Sequence, residues 1–178
     1  ICQCEKNNLN IILDLHKAFG YVFDDKDYCD FFYKEEYQDI FVKLWQELAH
    51  RYGHLHSHVA FELLNEITDS KTAKKWNEIA DRTIRAIREI SPNIKIIIGG
   101  IHNNSIAGLE LLEKPYDENI VFTFHCYSPM IFTHQRAYWV ENMPSNYSIE
   151  YPGKVSDFLN ETLKVFGNDH DNELIDSK

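Results

Sequence analysis

Short apolar segments rich in isoleucine, valine and leucine alternate along the chain with longer segments that repeat apolar residues at helical spacing. The strand-like segments are residues 10–16, 59–66, 95–100 and 120–127, and the helical ones are 33–52, 72–90, 105–112 and 153–166. Strands that alternate with helices form right-handed βαβ units, in which helices cover a parallel sheet. The sequence therefore predicts an α/β fold, either a doubly wound sheet or a barrel.

The apolar positions also predict which face of each helix is buried. Gly53 is predicted to end the first long helix and the Ser91-Pro92 pair the second. The predicted stripes are Ile40, Phe41, Leu44, Trp45 and Leu48 in the first, Trp76, Ile79, Ala80, Ile84 and Ile87 in the second, and Val155, Phe158, Leu159, Leu163 and Phe166 in the last.

Polar residues near the carboxyl ends of the strands favour the barrel. Side chains alternate across a strand, so Asp14 shares a face with His16, and Glu62 with Glu66. A barrel turns one face of each strand inward and builds its site at this end, whereas no glycine-rich phosphate loop supports a dinucleotide-binding sheet. The prediction is one pocket shared by His16, Glu66, His125 and Tyr127.

Glu66 is the candidate proton donor, because a strand-end carboxyl between apolar walls can have a raised pKa. The alternative for an isolated glutamate is a helix cap or a surface ion pair, and for His16 and His125 a satisfied core histidine. Asp14 and Glu62 lie deeper and are interpreted as hydrogen-bonded core residues. The grouping of these side chains favours a site.

Charge, hydropathy and cysteines restrict the partners. The net charge of −10 would repel phosphate backbones and anionic lipid, so neither nucleic acid nor a membrane is expected as a partner. The apolar segments are far shorter than the roughly 20 residues of a membrane span, and the chain does not open with a secretory signal, which leaves its location open. The four cysteines are predicted to be reduced, with Cys126 inside an apolar strand.

Four closely spaced histidines, at positions 50, 54, 56 and 58, are candidate metal ligands. His50 and His54 pair only on a helix, while His56 and His58 share a face only in an extended segment, and a helix-to-strand connection separates them. A solvated connection is the preferred interpretation, so no metal and no other cofactor is predicted.

Residues 129–139 form a loop rich in aromatic and hydrogen-bonding side chains. Aromatic faces can stack on sugar rings, and His134 and Gln135 could bind hydroxyl groups. Trp139 is the preferred stacking candidate, with simple packing of the loop as the alternative.

Three motifs together resemble glycoside hydrolase family 5, the endoglucanase-type cellulases of the retaining β/α-barrel clan. They are LDLH (13–16) followed by Gly20, FELLNE (61–66) and FHCYSPMIFTHQRAYW (124–139). The resemblance implies a (β/α)8 TIM barrel of which residues 1–178 contain strands three to six. It also implies that Glu66 is the acid/base, that Asn65 contacts the sugar 2-hydroxyl, that His16, His125 and Tyr127 shape the cleavage subsite, and that Trp139 lines the cleft.

This chain departs from the family pattern at several positions. Ile67 replaces the usual proline after Asn-Glu, Lys17 replaces a frequent second histidine, and Cys126 stands between His125 and Tyr127. The nucleophile, commonly in a Gly-Glu-Phe-Gly segment of strand seven, has no counterpart, and the acidic tail lacks a strand pattern. We therefore expect a chain without strands one, two, seven and eight, which is inactive alone and self-associates through open strand edges.

The resemblance implies hydrolysis of β-linked polysaccharide, in the manner of an endo-β-1,4-glucanase, with retention and without a cofactor. It implies an extracellular location for a full-length relative. A non-catalytic carbohydrate-binding fragment that uses Trp139 is the first alternative. A metal-dependent hydrolase that uses the histidines of residues 50–58 is the second.

Overall fold

The computed structural model describes residues 1–23, 25 and 28–167, and these divide into two compact units, Ile1–His125 and Cys126–Lys178. The acidic tail after residue 167 lies outside the described residues. The first unit contains α1 (Cys2–Lys6), β1 (Ile11–Asp14), β2 (Lys17–Ala18), β3 (Tyr21–Val22), α2 (Glu35–Tyr52), β4 (Val59–Glu62), α3 (Ala73–Ile90), β5 (Lys95–Gly99), α4 (Ile101–Asn104), α5 (Ile106–Leu109) and β6 (Ile120–Thr123). The second unit contains α6 (Met130–Thr133) and α7 (Val155–Phe166).

The main sheet has the parallel order β1-β4-β5-β6, as the alternation of strands and helices predicts. Each predicted strand is present, but three of them end two to four residues earlier than the apolar pattern does. The residues beyond these strand ends bond to loops; for example, the Asn65 N–H donates to the Leu15 carbonyl over 3.0 Å. The α/β prediction is therefore confirmed.

One face of the sheet forms the core of the first unit. Phe61, Ile96 and Ile98 point towards α2 and α3, where Trp45 and Trp76 are also buried. Removing each such side chain from water stabilises the fold by about 1.5–3 kcal/mol. The Trp76 indole N–H also donates to the Gly99 carbonyl over 2.9 Å, which ties α3 to the end of β5.

The stripe predicted for α3 is confirmed, whereas those of α2 and α7 are partly wrong. Ile40 and Leu44 are exposed, and α2 instead buries Gln38, Phe41, Val42, Trp45 and Ala49. Gln38 can be buried because its amide donates to the Phe31 carbonyl, a contact that periodicity cannot reveal. In the second unit α7 buries Phe158, Thr162 and Val165, and Val155 is exposed.

A hairpin between β1 and α2 was not predicted. β2 and β3 pair antiparallel around Gly20, whose φ of +82° would strain any other residue. A side chain at this position would also overlap the Tyr37 ring. The hairpin brings Tyr21, the first residue of β3, into the core.

Two further predictions concern the end of α2 and the state of the cysteines. α2 does end at Gly53, but this glycine has right-handed backbone angles and is required because the Ser91 side chain packs against it. The four cysteines are free thiols. Cys126 is exposed beyond the end of β6, so its placement inside an apolar strand was wrong.

Candidate active site

Polar side chains occupy the face of the sheet that does not contact the helices. Ile11, Leu13 and Leu15 pack on the core, so Asp14 and His16 lie on the opposite face of β1. Asp14 is in direct register with Glu62, and Glu62 with Ile97 of β5. The alternation that the sequence predicts is therefore present, and it directs the carboxyl-end polar residues of β1 and β4 to one surface.

Glu66 and His125 contact each other at the ends of β4 and β6. Oε1 of Glu66 lies 2.6 Å from Nδ1 of His125, and their side chains are 11% and 25% exposed. A hydrogen bond between a carboxylate and an imidazole is strong when it is shielded from water. The contact fixes the orientation of the Glu66 carboxyl group. An acid needs a fixed orientation if its proton is to reach a substrate oxygen.

Asp14 and His16 form a second pair beside the first. Oδ2 of Asp14 lies 2.6 Å from Nδ1 of His16, whose side chain is 61% exposed. Burial raises the pKa of Asp14 above its usual 3.8; the nearby His16 and His125 oppose this shift, and Glu66 adds to it. Since the charges of His125 and Glu66 act on Asp14, the two pairs belong to one electrostatic cluster.

Glu62 lies beside Asp14 in the same cluster, in direct register with it. Burial raises the pKa of Glu62 above its usual 4.5, and repulsion from Asp14 raises it further. Two carboxyl groups side by side disfavour double ionisation. Asp14 is hydrogen-bonded to His16 as predicted, but Asp14 and Glu62 lie on the open face of the sheet and neither is buried in the core, so the prediction that they are core residues was wrong.

The backbone at Glu66 has an uncommon conformation. Its φ of +38° lies in the left-handed region, which residues other than glycine seldom adopt. The Tyr21 hydroxyl donates to the Glu66 carbonyl over 2.7 Å and accepts from the Thr68 N–H over 3.3 Å. Burial raises the pKa of Tyr21, so this hydroxyl remains protonated and able to donate.

A second unusual turn, α4, follows β5. His102, Asn103 and Asn104 all have positive φ angles. The Asn103 N–H donates to the Ile67 carbonyl over 2.9 Å, and the Asn104 carbonyl accepts from the His125 N–H over 2.8 Å. The turn thus bonds to the backbones on which Glu66 and His125 are mounted.

Sequence reasoning missed both Tyr21 and this turn. Asparagine tolerates left-handed angles, so the pair Asn103-Asn104 after two glycines was a usable signal for the turn. Tyr21 has no comparable local signal, because its partner is 45 residues away.

Asn65 precedes Glu66 and is 4% exposed, with its backbone bonded to Leu15. Tyr127 and Trp139 belong to the second unit. There the Tyr127 ring packs edge-on against His134, with centroids 5.2 Å apart, while Trp139 is 66% exposed beside Tyr138. The roles of these residues, and the predicted pocket that Tyr127 shares with Glu66, stay predictions.

The loop of the second unit uses its polar side chains internally. Gln135 accepts a bond from the Ile149 N–H over 3.1 Å, and the His134 ring lies 2.9 Å from the Thr133 hydroxyl. These contacts favour packing of the loop over the binding of sugar hydroxyls by the same atoms.

His50, His54 and His56 line an open pocket of about 350 Å³, whereas His58 is not among its lining residues. His50 lies on α2 and His54 in a short 3-10 helix, while Nδ1 of His58 lies 3.4 Å from the Asn10 side chain. Within residues 1–23, 25 and 28–167, no group of three or more histidine, cysteine, aspartate or glutamate side chains is arranged to hold a metal ion. In the same part of the chain, no helix has the length and apolar character that crossing a bilayer requires.

Comparison with known proteins decides the family. The model of the family described as Cellulase (glycosyl hydrolase family 5) matches residues 1–170. The chain belongs to glycosyl hydrolase family 5. The β/α-barrel fold class expected from the motifs is therefore confirmed.

The relatives of this family 5 chain include cellodextrinase A of Ruminococcus flavefaciens, which is 45% identical over 141 residues that cover 79% of this chain. Endoglucanase C of Acetivibrio thermocellus is 41% identical over 152 residues, or 85% of the chain. Among solved structures, endoglucanase Cel5A of Thermotoga maritima superimposes with a TM-score of 0.68 over 90% of the chain at 30% identity. The chain covers 42%, 44% and 50% of these three proteins, which is about half of their length.

Proposed function

We propose that this chain supplies the acid/base half of a retaining glycoside hydrolase that cleaves β-linked glucan. The observation that carries the proposal is the 2.6 Å contact between the shielded Glu66 carboxyl and His125 at the carboxyl end of the sheet. In a β/α barrel this end holds the catalytic groups. The matched family and the names of the relatives support the same class of reaction.

Glu66 acts first as an acid. Its proton passes to the glycosidic oxygen while a second carboxylate attacks the anomeric carbon and the sugar leaving group departs. With its proton on Nδ1, His125 donates to Oε1, so that Oε2 carries the proton that is transferred. Glu66, now ionised, then removes a proton from the water that hydrolyses the glycosyl-enzyme, which restores both carboxyl groups.

The second carboxylate is proposed to come from a further strand of the barrel, beyond the four of this chain. Retaining enzymes hold their two carboxyl groups about 5–5.5 Å apart. Residues 1–178 are thus proposed to form one partial catalytic domain, equivalent to β/α units three to six, which is inactive without its remaining units. The exposed edge strands β1 and β6 are proposed to cause self-association of this half.

The other predicted residues complete the cleavage subsite. In this proposal the Asn65 amide bonds the sugar 2-hydroxyl, and His16 and Tyr127 border the ring to be cleaved. Trp139 offers an exposed aromatic face on which a neighbouring sugar stacks. No metal or organic cofactor takes part in these steps.

The substrate is proposed to be a β-1,4-glucan cut internally, since endoglucanases are frequent among the relatives. Mannan is the second candidate, because Thermotoga maritima Cel5A has been crystallised in complex with both cellobiose and mannotriose. A net charge of −10 is compatible with an uncharged polysaccharide.

The stereochemistry of the first product tests the mechanism. Proton NMR of a cellopentaose digest by the full-length protein that contains these residues should show the β-anomer before mutarotation. An initial α-anomer would exclude a retaining mechanism. Glycan binding without cleavage, unaffected by Glu66→Gln, would instead support a carbohydrate-binding role. The observation that favours this alternative is the exposure of the Tyr138 and Trp139 rings.

A further inference from the structure

The Tyr21 hydroxyl bridges the two ends of the turn that carries Glu66. It donates to the Glu66 carbonyl over 2.7 Å and accepts from the Thr68 N–H over 3.3 Å. Tyr21 is 2% exposed, and its ring packs edge-on against Phe32 with centroids 5.4 Å apart. The hydroxyl is therefore held at a fixed position by a buried ring.

The turn needs such support because Glu66 has a φ of +38°. A residue with a side chain pays a steric penalty at this angle and keeps it only where the surrounding structure imposes it. The penalty falls on the candidate acid/base itself, so the contacts that impose this angle also set the direction in which its side chain leaves the backbone.

The α4 segment bonds to the same turn. The Asn103 N–H of α4 donates to the Ile67 carbonyl, and the next residue, Asn104, accepts from the His125 N–H. The turn is thus bonded to Tyr21 of β3 at Glu66 and to α4 at Ile67, and α4 also bonds the backbone of His125. The Tyr21 contact is made by a side chain, so a substitution can remove it without changing the backbone.

We infer that Tyr21 is a positioning residue for the acid/base: its hydroxyl holds the strained turn so that the Glu66 carboxyl meets both His125 and the glycosidic oxygen. The inference rests on the proposed function of Glu66. Without the hydroxyl, the Glu66 carbonyl and the Thr68 N–H lose a shared partner, the turn relaxes towards ordinary angles, and the carboxyl moves away from His125.

The test uses Tyr21→Phe in the full-length protein that contains these residues, with aryl β-cellobiosides of different leaving ability as substrates. A phenol leaving group needs protonation by the acid, whereas 2,4-dinitrophenolate departs without it. We expect kcat/KM to fall about tenfold for the phenyl substrate and to stay unchanged for the dinitrophenyl one. Tyr52→Phe, at another tyrosine packed on the same core, is the matched control and should follow the unsubstituted protein on both substrates.

A double substitution separates positioning from a general effect on the fold. If Tyr21 acts through Glu66, Tyr21→Phe causes no further loss on the phenyl substrate once Glu66→Gln is present. Equal losses of Tyr21→Phe on both substrates, or full additivity with Glu66→Gln, would overturn the inference. A crystal structure of Tyr21→Phe gives an independent answer: the Glu66–His125 distance should exceed about 3.5 Å, and an unchanged distance would contradict the inference.

The same series distinguishes this inference from the proposed function. If Glu66→Gln lowers kcat/KM for the phenyl substrate alone while Tyr21→Phe matches the unsubstituted protein, only the role of Tyr21 is wrong. If Glu66→Gln retains full activity on every substrate, the proposed function fails and the positioning role fails with it.

Discussion

Nδ1 of His125 lies 2.6 Å from Oε1 of Glu66, although 59 residues separate the two in the sequence. β5 pairs with both β4 and β6, so the strands that carry the two residues are not neighbours in the sheet. The contact therefore reaches across the end of β5, over the α4 turn to which both backbones are bonded. This arrangement connects the order of the strands to the chemistry proposed for Glu66.

Replacement of His125 tests whether this contact matters for turnover. We expect His125→Phe to lower kcat by about a hundredfold, because the Glu66 carboxyl loses the partner that orients it for proton transfer. Circular dichroism should show an unchanged fold. His58→Phe is the control, because the His58 ring lies beside Asn10 at the opposite end of the strands. This variant should leave kcat unaltered.

Replacement of Glu62 tests the raised pKa values beneath the site. Burial and Asp14 disfavour ionised Glu62 in the folded state, so the protein loses stability as the pH rises through the raised pKa. Glu62→Gln is therefore expected to unfold at higher denaturant concentration than the unsubstituted chain at neutral pH, with the difference disappearing in acid. The same change at exposed Glu47 should bring no such gain, and a loss of stability in Glu62→Gln at neutral pH would contradict the interpretation.

The ion pair between Arg88 and Asp117 has the opposite pH dependence. The Arg88 guanidinium holds the pKa of Asp117 below its usual 3.8, so the pair stabilises the fold above that value and ceases to do so as the pH falls through the lowered pKa. Asp117→Asn should lower the free energy of unfolding by about 2 kcal/mol at neutral pH and by little in strong acid.

Asp81→Asn supplies the comparison for this pair. Asp81 bonds Arg85 on the same helix, and both side chains are about half exposed. An exposed pair of this kind contributes much less to stability, because water screens its charges. Equal losses of stability in Asp117→Asn and Asp81→Asn would show that the Arg88–Asp117 pair contributes no more than an exposed pair.

The edge strands β1 and β6 should make residues 1–178 associate when these residues are studied in isolation. Ile12 of β1 and Val121 of β6 are 56% and 40% exposed on the face opposite the core. Light scattering should detect concentration-dependent association, and Ile12→Lys with Val121→Lys should reduce it because charged edge residues oppose strand pairing. Ile40→Lys, on an exposed part of α2, is the control; association unchanged in the edge variant would refute the role of the edges.

The same preparation tests the proposed inactivity of this half. Residues 1–178 should release no reducing sugar from soluble β-glucan, since one carboxyl group cannot both protonate and attack. Hydrolysis that Glu66→Ala abolishes would contradict this expectation.

Much of this structure could be predicted from local sequence patterns. The period of two in the strands predicted that Asp14 and Glu62 share a face, and their direct register agrees. The period of 3.6 predicted the buried side of α3 correctly, because tryptophan and isoleucine leave little ambiguity there.

The failures have a common physical origin in contacts between distant residues. Gln38 is buried on α2 because of the Phe31 carbonyl, and Tyr21 bonds a turn 45 residues away. The helix predicted for residues 105–112 is reduced to Ile106–Leu109, preceded by the left-handed α4 turn that is bonded to Ile67 and His125. Neither hydrophobic period nor residue propensity contains this information.

The role of Glu66 is tested most directly by chemical rescue of Glu66→Ala with 2,4-dinitrophenyl β-cellobioside. This substrate forms the glycosyl-enzyme without an acid, but hydrolysis then needs the missing base, whereas azide attacks without one. In the full-length protein that contains these residues, we predict that azide accelerates turnover and that the product is β-cellobiosyl azide. Undiminished hydrolysis by Glu66→Ala, or turnover that does not respond to azide, would contradict the account.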